Sequence, residues 1–310
     1  MPRTGLEDAS DRKAYIITGP TSGIGRLTAL ELAERGTVVL VGRNRQKLEG
    51  VQKTIEQKGR HAVSVVCDLS DIASVRRAAA EIIGLDLPIA GLLNNAGIMA
   101  MRPMEKTNQG WDMTFATNYL GPFALTEALI PHLPDRVNVA FVASGVEDPE
   151  RKPAKAAGFR GGRFVSVEAS AQGQWTSGGS KMPGADAYAT SKQCLLAAAM
   201  VFARETPRLR FNAIEPGFTP NTGLGRDANA FLRFLANYLL PLIAPHIKYW
   251  STPKRAARLE TRVLTDASGR TGVYYDEGGQ PMLGSALVRD PKFQDRVVAE
   301  TRALLSTAPA

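Results

Sequence analysis

Residues 14–36, AYIITGPTSGIGRLTALELAERG, decide the fold. The apolar run AYIITG has the composition of a buried strand, and GRLTALELAERG has the periodicity of a helix that ends at Gly36. Between them, Gly19, Gly23 and Gly25 form a turn where a tight bend and close approach to a phosphate leave no room for a side chain. The following helix directs its free N–H groups and positive dipole end toward such a phosphate.

The glycine turn has to be judged in context, because glycine at a strand-to-helix turn is often present for the turn alone. Four further apolar runs within the first 145 residues are interpreted as strands: TVVLVGR, AVSVVCDLS, IAGLLNNAG and VNVAFVASG. They alternate with helical patterns, which indicates βαβ units and a parallel sheet covered on both faces. In this context the glycine turn favours a dinucleotide ligand.

The rest of the chain extends the same pattern. LRFNAIEPG and TGVYYDEGG are predicted strands, and DAYATSKQCLLAAAMVFARE, KRAARLETRVLTD and DPKFQDRVVAETRALL are predicted helices. Right-handed crossovers then predict a Rossmann-type α/β fold, a doubly wound parallel sheet of about seven strands with helices on both faces. We expect a single domain over residues 1–310, with a polar insert at 146–183 and a substrate-covering apolar segment at 218–253.

Composition argues against several function classes. The net charge of +8 would attract nucleic acid, but the Lys and Arg residues are dispersed and accompany no nucleic-acid-binding motif. His61, His132 and His246 lack metal-ligand spacing, so no metal site is expected. Cys67 and Cys194 form no disulfide framework, which fits a reducing compartment. The charged start does not resemble a signal peptide and no apolar run reaches membrane-spanning length, so a cytoplasmic protein without an integral membrane segment is expected.

The end of the second predicted strand bears on which dinucleotide binds. A ribose with free hydroxyls calls for an acidic residue there, whereas this chain has VGRNRQK, with Arg43 in place of the acid. A guanidinium at that point can bind a phosphate through two hydrogen bonds. The sequence therefore predicts NADP(H) rather than NAD(H). Arg45 and Lys47 are equally well explained as the solvated start of the second helix.

Five motifs in order, TGPTSGIG, NNAG, NYLG, VAS and YATSK, resemble the short-chain dehydrogenase/reductase family over residues 13–280. The chain looks closest to the branch that holds retinol-dehydrogenase-like enzymes and protochlorophyllide reductases. Arg43, the insert before YATSK and the stretch PGFTPNTGL suggest this branch. The resemblance implies a catalytic set, which is Asn118, Ser144, Tyr188 and Lys192.

The same resemblance implies a cofactor-binding set at the carboxyl ends of the strands. Asp68 would contact the adenine, with Leu69 beside it, and the NNAG motif would line the ribose and stabilise the sheet. Which of Thr219, Asn221 and Thr222 contacts the nicotinamide amide stays open. The expected set is Gly19, Thr21, Ser22, Gly23, Ile24, Gly25, Arg43, Asp68, Leu69, Asn95, Ala96, Gly97, Tyr188, Lys192, Pro216, Gly217 and Thr219.

The stretch DAYATSK, residues 186–192, carries the expected chemistry. Tyr188 and Lys192 share a helix face, and a nearby ammonium lowers the pKa of a phenol. Tyr188 can then donate a proton to a carbonyl oxygen as hydride arrives and take it back in the reverse reaction. By resemblance, Ser144 orients that oxygen, Lys192 also holds the ribose, and Asn118 anchors a water.

Two positions separate the chain from the protochlorophyllide reductases. Asn94 stands where those enzymes have a cysteine before the NAG motif, which argues against their activity. Cys194 has a counterpart in them but is better explained as a small buried helix residue.

The substrate pocket is expected under segments 146–183 and 218–253. The apolar stretch ANAFLRFLANYLLPLIAPHIKYW could wall the pocket, pack on the core, form a dimer face or contact a membrane surface. The predicted activity is reduction of a bulky apolar ketone or aldehyde, or the reverse alcohol oxidation. The alternatives are a C=C or C=N reductase and a non-catalytic NADP-binding sensor or scaffold. Relatives pair through the helices bearing NYLG and YATSK, so a homodimer is one expected state and a monomer the other.

Overall fold

A computed structural model of the chain describes residues 13–99, 106–182, 184–219 and 249–308. Within these ranges the strands form one sheet, seven of them parallel and the last antiparallel. The strands are β1 Ala14–Thr18, β2 Thr37–Gly42, β3 Ala62–Val66, β4 Ile89–Asn94, β5 Asn138–Val142, β6 Arg210–Ile214, β7 Val273–Tyr275 and β8 Pro281–Met282. Their spatial order is β3-β2-β1-β4-β5-β6-β7-β8. The order in which strands are added to the sheet therefore reverses between β1 and β4, although these two strands are parallel.

Helices cover both faces of the sheet. They are α1 Gly23–Leu32, α2 Arg45–Glu56, α3 Ile72–Gly84, α4 Met113–Phe115, α5 Gly121–Leu129, α6 Lys152–Ala156, α7 Val167–Ala171, α8 Ala185–Glu205, α9 Pro253–Leu264 and α10 Pro291–Ser306. A π-helical turn, Ala116–Leu120, joins α4 to α5, and a 3-10 turn, Gly145–Glu147, follows β5.

The core explains why these segments form central strands. Every residue of β1 and β5 is buried, as expected for parallel strands covered on both faces. On the face covered by α3, α5 and α8, aromatic rings stack in series, with Phe202 contacting Phe123, Phe141 and Phe211. The other face buries aliphatic side chains under α1, α2 and α9.

The predicted Rossmann-type α/β fold is confirmed, and all seven predicted strands are present. The eighth strand, Pro281–Met282, was not predicted, because two residues are too short to show a hydrophobic period. It pairs back on β7 through a turn in which the Asp276 carboxylate accepts the N–H groups of Gly278 and Gln280. The single-domain assignment stays a prediction.

The helix expected to bear NYLG contains a π-helical turn. α4 is capped by Asp112, whose carboxylate accepts the Phe115 N–H at 2.8 Å, and the π-helical turn follows at once. At Gly121 the helix presses on the loop after β3, where a Cβ would lie 2.1 Å from the Leu69 carbonyl oxygen. Apolar periodicity indicated a helix here but does not distinguish one π turn within it.

The insert at 146–183 has more structure than its composition indicated. It contains α6 and α7, and it is fastened to the end of the chain. The Glu147 carboxylate accepts the N–H and the hydroxyl of Ser285 at 2.8 and 2.6 Å, and Glu300 accepts the Val167 N–H at 2.8 Å. These contacts hold the 3-10 turn after β5, and therefore the neighbouring Ser144, against the rest of the fold.

Helix α10 packs across α8 and reaches α5. Arg302 bridges Glu127 of α5 and Glu205 of α8, both at 2.7 Å, and Tyr119 hydrogen-bonds Thr301 at 2.6 Å. Of the two helices expected to form a homodimer surface, α8 is therefore partly covered by the chain's own α10, and α5 is joined to α10 by the Arg302–Glu127 ion pair. Of the helices described, none is long and apolar enough to cross a membrane.

Candidate active site

The glycine turn lies between β1 and α1, where close packing excludes side chains. Gly19 and Gly23 have positive φ angles of 70° and 55°, which favour glycine. At Gly25 a Cβ would lie 2.3 Å from the side-chain nitrogen of Asn95 and 2.5 Å from the Gly19 carbonyl oxygen. The turn therefore brings bare backbone and the start of α1 to the edge of the cleft, as a phosphate site requires.

The NNAG motif braces this turn. The Thr18 hydroxyl accepts the N–H groups of Asn95 and Ala96, each at 3.0 Å, and the Asn95 amide donates to the Thr18 carbonyl at 2.8 Å. The loops after β1 and β4 thus meet through hydrogen bonds, and Gly25 of α1 packs against both. In this structure the motif orders the glycine turn as well as the sheet.

Cations line the end of the cleft beyond the glycine turn. Arg43 and Lys47 both border the cavity, whereas Arg45 does not. Asn44 caps α2 by accepting the Lys47 N–H at 2.9 Å, which fixes the direction in which the helix leaves β2. Of the three cations that follow β2, two therefore face the cleft, and Arg45 fits the alternative of a solvated helix start.

Asp68 and Leu69 border the same cavity after β3. One oxygen of the Asp68 carboxylate accepts the N–H and the hydroxyl of Ser70, at 2.9 and 2.7 Å. The Asp68 side chain is therefore held in one orientation beside the glycine turn.

The expected catalytic side chains meet at the carboxyl ends of β5 and β6. Ser144, two residues after the end of β5, lies close enough to the Tyr188 hydroxyl to lower the pKa of that phenol. The Lys192 ammonium donates to the Val142 carbonyl at 2.7 Å and lies 5.6 Å from the centre of the Tyr188 ring. Ser144, Tyr188 and Lys192 line the cavity, whereas Asn118 does not, so a carbonyl oxygen that reaches Ser144 also reaches Tyr188.

Burial governs the acid–base properties of this pair. Burial raises the pKa of Tyr188, the charge of Glu215 raises it further, and the neighbouring Ser144 hydroxyl lowers it. It also lowers the pKa of Lys192 to about 8, although the charges of Glu215 and Glu260 act in the opposite direction. The expectation that Lys192 lowers the pKa of Tyr188 below its ordinary value is therefore wrong for the protein without its cofactor. Desolvation of the buried phenol is the larger effect.

Asn118 lies in the π-helical turn and is fully engaged. Its side-chain oxygen accepts the Ile98 N–H at 2.8 Å, and its amide donates to the Ile98 carbonyl at 2.8 Å and to Ser191 at 3.2 Å. A Cβ on Gly97 would lie 3.4 Å from the Lys192 nitrogen and 3.6 Å from the Asn118 oxygen. Asn118 thus holds the loop after β4 close beside Lys192.

The segment after β6 closes the cavity. Pro216, Gly217 and Thr219 line it, and the Thr219 hydroxyl donates to the Gly217 carbonyl at 3.1 Å. Asn221 and Thr222 lie outside the described residues, as does most of the apolar segment, so the choice among the three nicotinamide contacts stays open.

Aromatic side chains surround the other end of the cleft. Phe218 and Trp250 pack edge to face at 4.8 Å, and Phe218 keeps 56% of its surface exposed. The Arg151 guanidinium lies over the Tyr249 ring at 4.8 Å, and Phe159 borders the same space. The cavity of about 630 Å³ therefore has a polar, glycine-rich end and an apolar, aromatic end.

Comparison with known proteins identifies the family. The family described as short chain dehydrogenase matches residues 13–151. Mouse polyprenol dehydrogenase is 33% identical over 304 residues, which cover 93% of this chain and 82% of that protein. The chain belongs to the short-chain dehydrogenase family. It is thus related to oxidoreductases over nearly its whole length.

Other similar proteins support the predicted branch of the family. Human retinol dehydrogenase 13 is 38% identical over 146 residues, and a fission yeast protein, uncharacterized oxidoreductase C736.13, is 40% identical over 143. These alignments cover 44% and 42% of those proteins, so the chain matches less than half the length of either. A crystal structure of a short chain dehydrogenase from Burkholderia cenocepacia in complex with NADP shares the fold, with a TM-score of 0.63 at 21% identity, over 85% of this chain and 95% of that one.

This short-chain dehydrogenase carries site residues that sequence reasoning missed. These are Glu215 and Arg151, which line the cleft beside Ser144. Tyr249 and Trp250 also line it, and they end the apolar stretch for which a pocket wall was one of the expected roles. Glu215 stands immediately before the predicted Pro216, and its position at a strand's carboxyl end was the available signal. Arg151 had no signal, since it lies in an insert without periodicity.

Cys194 does not line the cleft. Cys194 is fully buried in α8, and burial raises the pKa of its thiol well above the ordinary value, as for a packing residue. The described part of the chain contains no cluster of His, Cys, Asp and Glu suited to a metal ion.

Proposed function

We propose that this short-chain dehydrogenase uses NADP(H) to reduce the carbonyl group of a bulky apolar ketone or aldehyde, or to oxidise the corresponding alcohol. The observation that carries the proposal is the convergence of Ser144, Tyr188 and Lys192 in the wall of the cleft that the glycine turn also lines, with the Lys192 ammonium 5.6 Å from the centre of the Tyr188 ring. The hydroxyls of Ser144 and Tyr188 in the same cleft wall can hydrogen-bond one carbonyl oxygen, and one of them can protonate it.

The cofactor assignment rests on the cradle and on charge. A Cβ at Gly25 would overlap the Asn95 amide and the Gly19 carbonyl oxygen, so only glycine lets the start of α1 pack this closely on the loops after β1 and β4. The free N–H groups at that helix start then border the cleft, where a phosphate could accept them. Arg43 and Lys47 border the cavity where a ribose-binding acid would otherwise stand. These residues suit the extra phosphate of NADP(H), which would supply or accept the hydride when bound.

Four side chains would have separate roles in the proposed carbonyl reduction. Ser144 would orient the carbonyl oxygen through a hydrogen bond, and Tyr188 would give that oxygen its proton. Lys192, fixed to the Val142 carbonyl, would keep a positive charge beneath the phenol. Asn118 would hold the loop after β4 in place beside Lys192.

The substrate class follows from the aromatic end of the cleft. Phe159, Phe218, Tyr249 and Trp250 border the space beyond Ser144. Such a wall favours an apolar body with one reactive oxygen. Polyprenol and retinol, for which two relatives are named, are apolar alcohols of this kind.

The test is NADPH consumption by the purified protein with bulky hydrophobic ketones, isoprenoid aldehydes and enones. We expect turnover of a carbonyl substrate, and a loss of about 10²–10⁴-fold in kcat when Tyr188→Phe removes the proton donor. Tyr15→Phe is the matched control, because Tyr15 is equally buried but belongs to β1 and does not line the cleft.

Each outcome separates the candidate activities. Turnover of an enone at C=C that survives Tyr188→Phe would contradict the carbonyl assignment and favour the alternative reductase. Tight NADPH binding without turnover of any compound would contradict the enzyme assignment and favour a sensor. Equal losses in the Tyr188 and Tyr15 variants would remove the evidence for a proton donor.

A further inference from the structure

Glu215 occupies an unusual place, because its carboxylate is buried inside the cleft wall. It directly follows β6 and is only 6% exposed. Its side chain accepts hydrogen bonds from the N–H of Gly145 and, at 3.4 Å, from the hydroxyl of Tyr274. The donors come from two elements, the turn that follows Ser144 and β7, and Glu215 lines the same cleft as Ser144, Tyr188 and Lys192.

These donors and one cation favour the ionised carboxylate. Hydrogen bonds to a carboxylate and a nearby guanidinium both stabilise its charge, and Arg151 supplies the guanidinium. Burial acts the other way and raises the pKa of Glu215 to about 7. The carboxylate is therefore charged above neutral pH and is sensitive to the loss of Arg151.

The groups that face Glu215 come from every surrounding element. They are Arg151 at the start of the insert, Glu147 in the 3-10 turn, Tyr188 and Lys192 on α8, Tyr274 on β7 and Glu277 after β7. Of these, Tyr188 and Lys192 are the two whose protons matter for the proposed reaction.

The charge of Glu215 acts on both protons in the same sense. A carboxylate near a phenol opposes phenolate formation, and a carboxylate near an ammonium stabilises the ammonium. Glu215 accordingly raises the pKa of Tyr188 and that of Lys192. Burial lowers the pKa of Lys192 to about 8 even though the charge of Glu215 opposes that shift, so loss of the Glu215 charge would lower it further.

We propose that Glu215 is a positioning residue that keeps Tyr188 and Lys192 in their protonated forms, so that the site favours giving a proton to a carbonyl over taking one from an alcohol. This inference rests on the proposed function and adds a direction to it. Arg151 contributes to the same effect, because its guanidinium stabilises the ionised form of Glu215. The Gly145 hydrogen bond keeps the carboxylate beside the Ser144 turn.

The test is NMR titration of the Lys192 side chain in protein labelled with [ε-13C]lysine, with the signal assigned by Lys192→Met. It needs no substrate and no cofactor. We expect Lys192 of the wild type to titrate near 8. In Glu215→Gln we expect the pKa of Lys192 to be about 1 pH unit lower than in the wild type. Arg151→Met should move it in the same direction, and Arg151→Lys should restore it.

The matched control is Glu147→Gln. Glu147 is fully buried, also belongs to the region of the Ser144 turn, and has a pKa raised by burial to about 7, but it bonds Ser285 and does not line the cleft. An unchanged Lys192 titration in Glu215→Gln would overturn the inference. So would an equal shift in Glu147→Gln, since the effect would then come from disturbance of the turn.

The pH profile of turnover gives a second, separate measurement. In Glu215→Gln we expect the decline of carbonyl reduction at high pH, and the rise of alcohol oxidation, both to move about 1 pH unit lower. The wild type could turn over no carbonyl while the Lys192 pKa still differed as expected between the wild type and Glu215→Gln. The proposed activity would then fail and the electrostatic role of Glu215 would stand. Turnover with an unshifted profile would contradict the role alone.

Discussion

The two ends of the cleft are built differently. The glycine-rich end comes from short loops after β1, β2, β3 and β4, joined by hydrogen bonds such as that from Asn95 to the Thr18 carbonyl at 2.8 Å. The aromatic end is assembled from distant segments, with Arg151 of the insert stacked on Tyr249 and Phe218 packed on Trp250. One end is close-packed backbone, and the other is a set of side chains.

This difference has consequences for function and for substitution. The glycine-rich end has little freedom to change, because a Cβ at Gly19 or Gly25 would overlap neighbouring atoms. At the aromatic end, Phe218 is more than half exposed and could be replaced without disturbing the core. We therefore expect the first end to determine cofactor binding and the second to determine substrate choice.

The largest effect is expected at Gly25. In Gly25→Ala the new Cβ would lie 2.3 Å from the Asn95 amide and 2.5 Å from the Gly19 carbonyl oxygen, so the turn would have to open. We expect NADPH binding, measured by fluorescence, to become undetectable. Gly84→Ala is the control, since a Cβ there meets no atom within 4 Å. Retained affinity in Gly25→Ala would show that the close packing of the turn is dispensable.

A smaller effect is expected from the cations after β2. Arg43 borders the cleft and Arg45 does not, although both are exposed and lie two residues apart. A hydrogen-bonded charge contributes about 1.5–3 kcal/mol. We therefore expect Arg43→Ala to weaken NADPH binding roughly tenfold to hundredfold and Arg45→Ala to leave it within about twofold. Calorimetry with NADPH and NADH measures both, and equal effects of the two variants would contradict the assigned phosphate contact.

The smallest effect is expected at the aromatic end. Phe218→Ala removes apolar contact with a substrate, and since the ring is 56% exposed the loss is limited to about 1 kcal/mol. We expect KM for an apolar carbonyl to rise roughly fivefold, with NADPH affinity and thermal stability unchanged. Leu283→Ala, at a 72% exposed site away from the cleft, is the comparison. A variant that lost NADPH affinity instead would show that the two ends are not separate.

The same contrast explains what the sequence could predict. The strand–glycine turn–helix unit and the pairing of Tyr188 with Lys192 depend on residues close together in the chain, and local pattern indicates them. Glu215 depends on the N–H of Gly145, 70 residues away, and no local pattern shows that contact. Burial likewise reversed the expected direction of the Tyr188 pKa, because the extent of desolvation appears only in the folded chain.

The central claim is that the cleft binds NADP(H), and the most direct measurement is the ratio of the NADPH and NADH dissociation constants of the wild-type protein. With Arg43 and Lys47 at the cofactor end, we predict NADPH to bind at least about tenfold more tightly than NADH. Equal affinities, or tighter NADH, would contradict the assignment of these cations to a phosphate.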